Sequence, residues 1–259
     1  MRAKQSLGQN FLIDENIALK IVHSINPGPE ETLLEIGPGQ GRITRLLQPR
    51  VKRLLAVEID QRLYPDLERT FAGCDNFQLI KADFLEIDLA ALASEKLRVF
   101  GNIPYNITSP ILFKIFEQRR FVHDVVLLMQ KEVAQRIVST PDSKDYGILA
   151  VMCQIFADVK LLFNVPPTVF RPQPRVDSSL VQLRISEERT RLIVDEPFLR
   201  FLVRTAFGQR RKMLRNSLKE FADQDCFDFT RRPENVTIAE WISLANELYP
   251  SSQRQTAVN

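Results

Sequence analysis

Short apolar runs alternate with amphipathic stretches through the first two-thirds of the chain. The apolar runs predict strands at 32–36, 54–59, 77–81, 97–100 and 125–129, and the amphipathic stretches predict helices at 14–25, 42–47, 64–71, 109–118 and 131–138. Strands that alternate with helices at this spacing predict βαβ units and a parallel sheet. Because the run 125–129 is apolar throughout, we expect a sheet that is covered on both faces.

The pattern changes near residue 186. A further helix at 148–157 and two strands, at 160–164 and 179–184, come before that point. Beyond the polar segment 187–191 we expect helices at 197–207, 209–221 and 237–248, the last opened by a capping box at Thr237 and Glu240. The sequence therefore predicts an α/β domain over residues 1–186, a small helical domain over 187–250 and a disordered tail over 251–259.

Composition narrows the class of protein. The 259 residues are 44% hydrophobic, which is enough for one large and one small domain. Three widely separated cysteines indicate a reducing compartment, no apolar leader follows the N-terminal basic residues, and no apolar run is long enough to span a bilayer. We therefore expect a cytoplasmic protein without a membrane partner. Only two histidines are present, which excludes a multi-histidine metal site, and we expect no metal and a monomer.

A glycine-rich turn follows the first predicted strand, with glycines at Gly37, Gly39 and Gly41. Glycines at alternate positions let the backbone approach a ligand closely, although a plain tight turn has the same pattern. Glu58 ends the second strand, where a carboxylate can accept both hydroxyls of a ribose. Asp83 follows the third strand and can accept from an adenine amine or cap a turn. The third glycine comes one residue too early for a G-x-G-x-x-G motif, which argues against an NAD site.

The motif Asn102-Ile103-Pro104-Tyr105 follows the fourth predicted strand. It suits methylation of the exocyclic amine of adenine, a poor nucleophile whose lone pair is delocalised into the ring. The Asn102 side-chain oxygen and the Ile103 carbonyl can accept from the NH2 group and free that lone pair. Pro104 fixes φ, and Tyr105 offers a flat surface for a flipped base. By itself, the motif could equally be a strand that ends in a proline-containing turn.

The order of these motifs resembles that of S-adenosylmethionine-dependent methyltransferases of the adenine-N6 class. Three further segments are similar to those of the bacterial small-subunit rRNA adenine dimethyltransferases, the kasugamycin-sensitivity enzymes: residues 4–12, 165–178 and 206–218. The resemblance therefore extends over most of the chain. It implies a Rossmann-like class I methyltransferase domain followed by a small α-helical domain.

The resemblance also implies a substrate and a set of site residues. S-adenosyl-L-methionine would be the co-substrate, held by Asn10, Leu12, Gly37, Gly39, Glu58, Asp83 and Asn102. The target would be two adjacent adenines in the 3′-terminal hairpin of 16S rRNA, each methylated twice during small-subunit biogenesis. Phe170 would stack on the target base opposite Tyr105, because the prolines around it stiffen a loop rather than a buried strand.

Basic residues are concentrated in the helical domain. Between residues 200 and 219 there are seven Lys and Arg residues and no acidic residue. A run of charge is often only a solvated face, but this excess of one sign favours contact with RNA phosphates. The predicted RNA-binding residues are Arg204, Arg210, Arg211, Lys212 and Arg215.

Other functions remain compatible with the sequence. Residue 103 is Ile, whereas Leu is commoner there in the small-subunit enzymes and Ile is usual in the related large-subunit (23S) rRNA methyltransferases of macrolide resistance. DNA adenine methyltransferases usually have Pro at this position, which counts against them. A mainly non-catalytic role in ribosome assembly or transcription is a third alternative. The intact set of Gly37, Glu58, Asp83 and Asn102 favours catalysis.

Overall fold

The computed structural model describes residues 8–249 and divides the chain into two compact units. The first comprises Met1–Ala134 and Lys160–Ile185, and the second comprises Gln135–Val159 and Ser186–Asn259. The sequence placed residues 135–159 in the methyltransferase domain, whereas the structure groups them with the C-terminal helices. The predicted tail at 251–259 lies outside the described residues.

The strands, in chain order, are β1 Phe11–Leu12, β2 Thr32–Ile36, β3 Arg53–Glu58, β4 Phe77–Lys81, β5 Leu97–Asn102, β6 Val122–Gln130, β7 Ala157–Val165, β8 Phe170–Arg171 and β9 Ser178–Ile185. Seven of them form one sheet in the order β4-β3-β2-β5-β6-β9-β7. Neighbours from β4 to β6 are parallel, and β9 is antiparallel to β6. β1 and β8 form a separate antiparallel pair, which the sequence analysis missed because two-residue strands carry no periodic signal.

The helices of the first unit are α1 Glu15–Ile25, α2 Arg42–Leu47, α3 Tyr64–Thr70 and α4 Thr108–Glu117, and α5 Lys131–Ile137 crosses into the second unit. α1 begins where the Asp14 side chain accepts from the Ile17 N–H at 2.9 Å, and it ends at Asn26, which has a left-handed φ of 50°. Its residues Ala18, Ile21, Val22 and Ile25 are buried at helical spacing in the core cluster that includes Leu33 and Leu54. The predicted parallel α/β core is thus confirmed.

α4 begins one residue earlier than the sequence indicated. The predicted helix starts at residue 109, whereas the cap position is Ile107 and Thr108 is the first helical residue. The reason is a 3₁₀ turn at Tyr105–Ile107, which leads directly into the helix. Ser109 and Pro110 therefore lie in the first turn, where a proline is tolerated because its missing N–H has no intrahelical partner.

The second unit contains α6 Ile148–Phe156, α7 Glu187–Arg191, α8 Glu196–Gly208, α9 Leu214–Ser217 and α10 Ile238–Leu248. α8 packs against α6 and α10, and the rings of Phe207 and Trp241 lie 6.0 Å apart in that contact. α10 opens with the predicted capping box, in which Thr237 Oγ1 accepts from the Glu240 N–H and the Glu240 carboxylate accepts from the Thr237 N–H.

The prediction of one continuous helix over residues 209–221 is wrong. The structure has only the four-residue α9 and a 3₁₀ turn at Lys219–Phe221. The N–H groups of Leu214 and Arg215 donate to the carbonyls of Arg231 and Phe229, at 2.8 and 2.9 Å, instead of to the preceding helical turn. The basic segment is therefore a series of turns held by the chain near residue 230.

None of the helices in residues 8–249 combines the length and the apolar character that crossing a membrane requires.

Candidate active site

The carboxyl ends of β2, β3, β4 and β5 meet at one edge of the sheet because these strands are parallel. They surround a cavity of about 280 Å³. Ten of the predicted cofactor-binding and catalytic residues line it: Asn10, Leu12, Gly37, Gly39, Glu58, Asp83, Asn102, Ile103, Pro104 and Tyr105. The fold thus brings together motifs that are up to 95 positions apart in the sequence.

The glycine-rich turn forms one wall of the cavity. Gly37 and Gly39 have φ values of 67° and 57°, a region that other residues rarely adopt. A Cβ on Gly39 would come within 3.0 Å of the Phe11 ring. Glycine at this position therefore satisfies both the backbone conformation and the close approach of β1.

Glu58 is fixed at the end of β3 by two backbone groups. Its carboxylate accepts from the Gly39 N–H at 3.1 Å and from the Asp60 N–H at 2.8 Å, while burial raises its pKa. The neighbouring Ile59 lines the cavity and is 48% exposed. The sequence analysis missed Ile59, although an apolar residue directly after a strand-end acid was the available signal.

Asp83 lies at the cavity wall and also caps a turn. Its Oδ1 accepts from the Leu85 N–H at 2.9 Å at the start of the 3₁₀ turn Phe84–Glu86. The capping role considered from the sequence is therefore present. A carboxylate can accept further hydrogen bonds, and the predicted contact with an adenine amine stays a prediction.

Asn102 is oriented by the N-terminal segment. Its Nδ2 donates to the Asn10 carbonyl at 3.0 Å, which directs the amide nitrogen toward that carbonyl. The preceding Gly101 lets β5 lie against β2, since a Cβ there would come within 2.6 Å of the Ile36 carbonyl oxygen. The side-chain oxygen of Asn102 is thus held at a cavity-lining position as an acceptor.

The other residues of the motif are also fixed. The Ile103 N–H donates to the Leu128 carbonyl at 3.3 Å, and Pro104 has a φ of −58°. The Tyr105 hydroxyl lies 2.7 Å from Ser178 Oγ, and burial raises the pKa of Tyr105. Because this hydrogen bond holds its hydroxyl, the ring of Tyr105 has restricted rotation.

Phe170 does not lie where its predicted role requires. Its side chain is fully buried in the core cluster with Leu12 and Val169, and it is not among the cavity-lining residues. The cause is the pairing of β8 with β1, which places Phe170 opposite Leu12. Stacking on a base would need a rearrangement of this segment, so the clamp with Tyr105 stays a prediction.

Comparison with known proteins identifies the family of this chain. The model of the family described as "Ribosomal RNA adenine dimethylase" matches residues 1–248. The chain belongs to the ribosomal RNA adenine dimethylase family. The "Ribosomal RNA small subunit methyltransferase A" of Chlorobium phaeobacteroides strain BS1 is 45% identical over 251 residues, which cover 95% of this chain and 94% of the relative. The family resemblance drawn from the motifs is thereby confirmed.

Solved structures of similar proteins confirm the fold of this dimethylase. A dimethyladenosine transferase from Plasmodium falciparum has a TM-score of 0.81 at 23% identity, covering 95% of this chain and 98% of that protein. The 23S rRNA methyltransferase ErmE has a TM-score of 0.68 at 26% identity, covering 93% and 100%. The Rossmann-like fold class is thus as predicted.

The predicted RNA-binding residues of the dimethylase fall into two groups. Arg204, Arg211, Lys212 and Arg215 are exposed. The Arg210 guanidinium instead donates to Glu234 at 2.8 Å and to the carbonyl of Lys144 at 2.6 Å. Arg210 thus joins segments within the second unit, and its predicted contact with RNA competes with these bonds.

Glu35 is a further cavity residue that the sequence analysis missed. It is buried at the end of β2 and accepts from Thr44 Oγ1 at 2.6 Å. Burial raises the pKa of this carboxyl to about 8. The Glu35 carboxyl therefore keeps its proton to a higher pH than an exposed glutamic acid does.

Across residues 8–249, no three or more His, Cys, Asp and Glu side chains are grouped so that they could hold a metal ion.

Proposed function

We propose that the chain transfers methyl groups from S-adenosyl-L-methionine to N6 of two adjacent adenines in the 3′-terminal hairpin of 16S rRNA. The products are N6,N6-dimethyladenosines, formed on the small ribosomal subunit or its precursor. The observation that carries this proposal is the hydrogen bond from Asn102 Nδ2 to the Asn10 carbonyl, which leaves the Asn102 side-chain oxygen as an oriented acceptor at the cavity.

The cavity fits the co-substrate. The left-handed turn at Gly37 and Gly39 provides a wall without Cβ atoms, and Glu58 provides a fixed carboxylate for the ribose hydroxyls. Ile59 offers an apolar surface for the adenine ring beside the carboxylate of Asp83. When bound, S-adenosylmethionine supplies an electrophilic methyl group on a positively charged sulfur.

Two acceptors then prepare the target nitrogen. In the first transfer, Asn102 Oδ1 and the Ile103 carbonyl accept the two hydrogens of the adenine N6 amine, which favours its pyramidal form. In the second transfer, one of these oxygens accepts the single hydrogen that N6 retains. N6 attacks the methyl carbon as the carbon–sulfur bond breaks, leaving a neutral thioether. Attack makes N6 strongly acidic, so its proton passes to solvent and the step needs no strong general base. Tyr105 supports the flipped base by stacking, a contact worth about 1–3 kcal/mol per base.

The choice of the small subunit rests on sequence similarity. The small-subunit relative is 45% identical over nearly the whole chain, whereas the 23S rRNA methyltransferase ErmE is 26% identical. Ile103 is the residue usual in the large-subunit enzymes, but only its backbone carbonyl takes part in the chemistry. We therefore favour 16S rRNA, with the exposed basic residues of the second unit as phosphate contacts.

Methyl transfer from labelled S-adenosylmethionine tests the proposal. The assay compares unmethylated small subunits with naked large-subunit rRNA and identifies the product by nucleoside analysis. Dimethyladenosine from the small subunits alone is the expected result. Transfer only to large-subunit RNA would assign the protein to the resistance type, and transfer to neither would favour a binding role.

A further inference from the structure

Residues 8–12, here termed the strap, line one wall of the cavity. The strap contacts Asp60, two residues after β3, and Asn102, the last residue of β5. These two strands lie on opposite sides of β2 in the sheet. At the usual strand spacing, these two strands are about 10 Å apart. Between them, the Phe11 ring lies against Gly39 in the turn that follows β2. The strap therefore extends over the carboxyl end of β2.

One side of the strap is held by a hydrogen bond to a carboxylate that forms an ion pair with a neighbouring arginine. Gln9 Nε2 donates to Asp60 Oδ2 at 2.8 Å, and the Arg62 guanidinium binds the same carboxylate at 2.6 and 2.8 Å. Arg62 also approaches Gln9 Oε1 at 3.4 Å. The Asp60 side chain is only 4% exposed, and the hydrogen bond from Arg62 holds its pKa well below the usual range. We term these three residues the latch.

The other side of the strap meets the catalytic motif. The Asn10 carbonyl accepts from the Asn102 amide at 3.0 Å, one residue after Gln9. Gly8 lies against the loop after Asn102, since a Cβ on Gly8 would come within 3.1 Å of Asn106 Oδ1 and 3.4 Å of Pro104. A shift of Gln9 would therefore move the carbonyl that orients Asn102.

We propose that Gln9, Asp60 and Arg62 act as positioning residues, because the latch holds the strap so that the Asn10 carbonyl fixes the side-chain amide of Asn102 for transfer. This inference rests on the proposed function. The latch does not touch the reacting atoms, and its effect on the reaction passes through one backbone carbonyl. Without it, the Asn102 amide rotates more freely, and its oxygen is a less well oriented acceptor.

The same latch links the two halves of the reaction site. Glu58, the predicted ribose ligand, accepts from the Asp60 backbone N–H at 2.8 Å. Asp60 therefore connects the carboxylate at the cofactor end to the strap, and the strap connects to Asn102. The Glu58 carboxylate and the Asn102 amide are thus linked through the latch and the strap by hydrogen bonds at Asp60, Gln9 and Asn10.

Three variants and a control test this role. Gln9→Ala removes the hydrogen bond to Asp60, and Gln9→Glu places a second carboxylate next to that of Asp60. Adding Asp60→Asn to Gln9→Glu restores a hydrogen bond with donor and acceptor exchanged, and Asn remains a good N-cap for the following turn. The Arg62 guanidinium, which already approaches the side chain at position 9, then pairs with the carboxylate there instead of with Asp60. Arg69→Ala removes an exposed ion pair with Asp66 in the same unit and serves as the control.

Three readouts separate positioning from folding. We measure kcat and the KM for S-adenosylmethionine on small subunits, the melting temperature, and hydrogen exchange of the Asn102 side-chain amide by NMR, with Asn102→Ala to assign the signal. Because small misplacements of catalytic groups are costly, we expect Gln9→Ala to lower kcat about tenfold. Amide exchange should become faster while the melting temperature stays close to that of the wild type.

Gln9→Glu should be more impaired than Gln9→Ala, and the double variant should return to within about threefold of the wild type. If Gln9→Ala and Gln9→Glu keep wild-type kcat and amide exchange, or change only KM, the inference is wrong. Failure of the double variant to recover would also overturn it. Absence of methyl transfer by the wild type would instead refute the proposed function, and the amide exchange would still test the latch.

Discussion

Asn102 and Asn10 are 92 residues apart in sequence, yet the side-chain amide of Asn102 donates to the backbone carbonyl of Asn10 at 3.0 Å. The bond uses the donor end of the amide and leaves the acceptor end for a substrate amine. Under the proposed mechanism, residue 102 donates to the Asn10 carbonyl and accepts from N6. The side-chain amide of Asn carries both the donor and the acceptor that these two contacts use.

Replacing Asn102 should abolish transfer without preventing binding of the ribosomal subunit. Asn102→Ala removes the acceptor, and we expect a loss of at least about 100-fold in kcat, as for other lost transition-state hydrogen bonds. Asn102→Asp keeps an acceptor but points a negative charge at the Asn10 carbonyl, so it should be impaired as well. Methyl incorporation and filter binding of small subunits measure the two effects. Near-wild-type dimethylation by Asn102→Ala would contradict the mechanism.

Glu35 should make stability depend on pH. Because burial raises its pKa to about 8, the folded protein keeps a proton that the unfolded chain releases near the ordinary value of 4.5. Stability from this group is fully present below pH 4.5 and is lost as the pH rises toward 8, at up to about 1.4 kcal/mol per pH unit. Glu35→Gln cannot titrate and should gain stability relative to the wild type as pH rises.

Urea unfolding at several pH values between about 5 and 8 measures this difference. The exposed Glu30→Gln is the control, and its free energy of unfolding should follow that of the wild type at every pH. A constant difference between Glu35→Gln and the wild type across this range would mean that Glu35 is already ionised when folded.

The sheet was predictable because its strands are strongly apolar and its helices are periodic. Runs such as that in β6 carry their signal locally, so the parallel α/β core followed from the sequence. The segment after Gly208 was not predictable in the same way. Its composition suits a helix, but Leu214 and Arg215 give their N–H groups to residues near position 230. Tertiary hydrogen bonds of this kind override local preference.

Ten cavity-lining residues were predictable because each lies in or beside a recognisable motif, whereas Glu35 and Ile59 were missed. The surroundings of Phe170 and Arg210 were harder to predict, because they depend on partners that are distant in sequence. Phe170 is buried because β8 pairs with β1, and Arg210 is engaged by Glu234. The latch was equally hidden, because Gln9 and Asp60 are 51 positions apart and only the fold brings them into contact.

Arg98 should be a major contributor to the stability of the first unit. Its guanidinium binds Asp124 at 2.7 and 2.9 Å and Glu31 at 2.6 Å, and its side chain is 12% exposed. Arg98→Ala would leave the buried Asp124 carboxylate without this partner, which should cost about 3–5 kcal/mol. Arg69→Ala, which removes an exposed pair, should cost less than about 1 kcal/mol.

Urea unfolding of the two variants measures the contrast. Arg98→Met combined with Asp124→Leu should recover part of the loss, because it removes the orphaned charge together with its partner. Equal destabilisation by Arg98→Ala and Arg69→Ala would show that the Arg98 ion pairs are as weak as those at the surface.

The exposed basic residues and Arg210 should respond differently to mutation. Changing Arg211, Lys212 and Arg215 together to Ala should weaken binding to small subunits. The slope of log binding constant against log salt concentration should become shallower by about 0.7–0.9 for each phosphate that the variant no longer neutralises. Arg210→Ala should instead lower the melting temperature, because it breaks the pair with Glu234, and should leave the slope unchanged. Binding isotherms at several salt concentrations and thermal unfolding measure the two effects. If Arg210→Ala changed the slope as much as the triple variant, Arg210 would leave Glu234 to bind RNA, and the internal role assigned to it would be wrong.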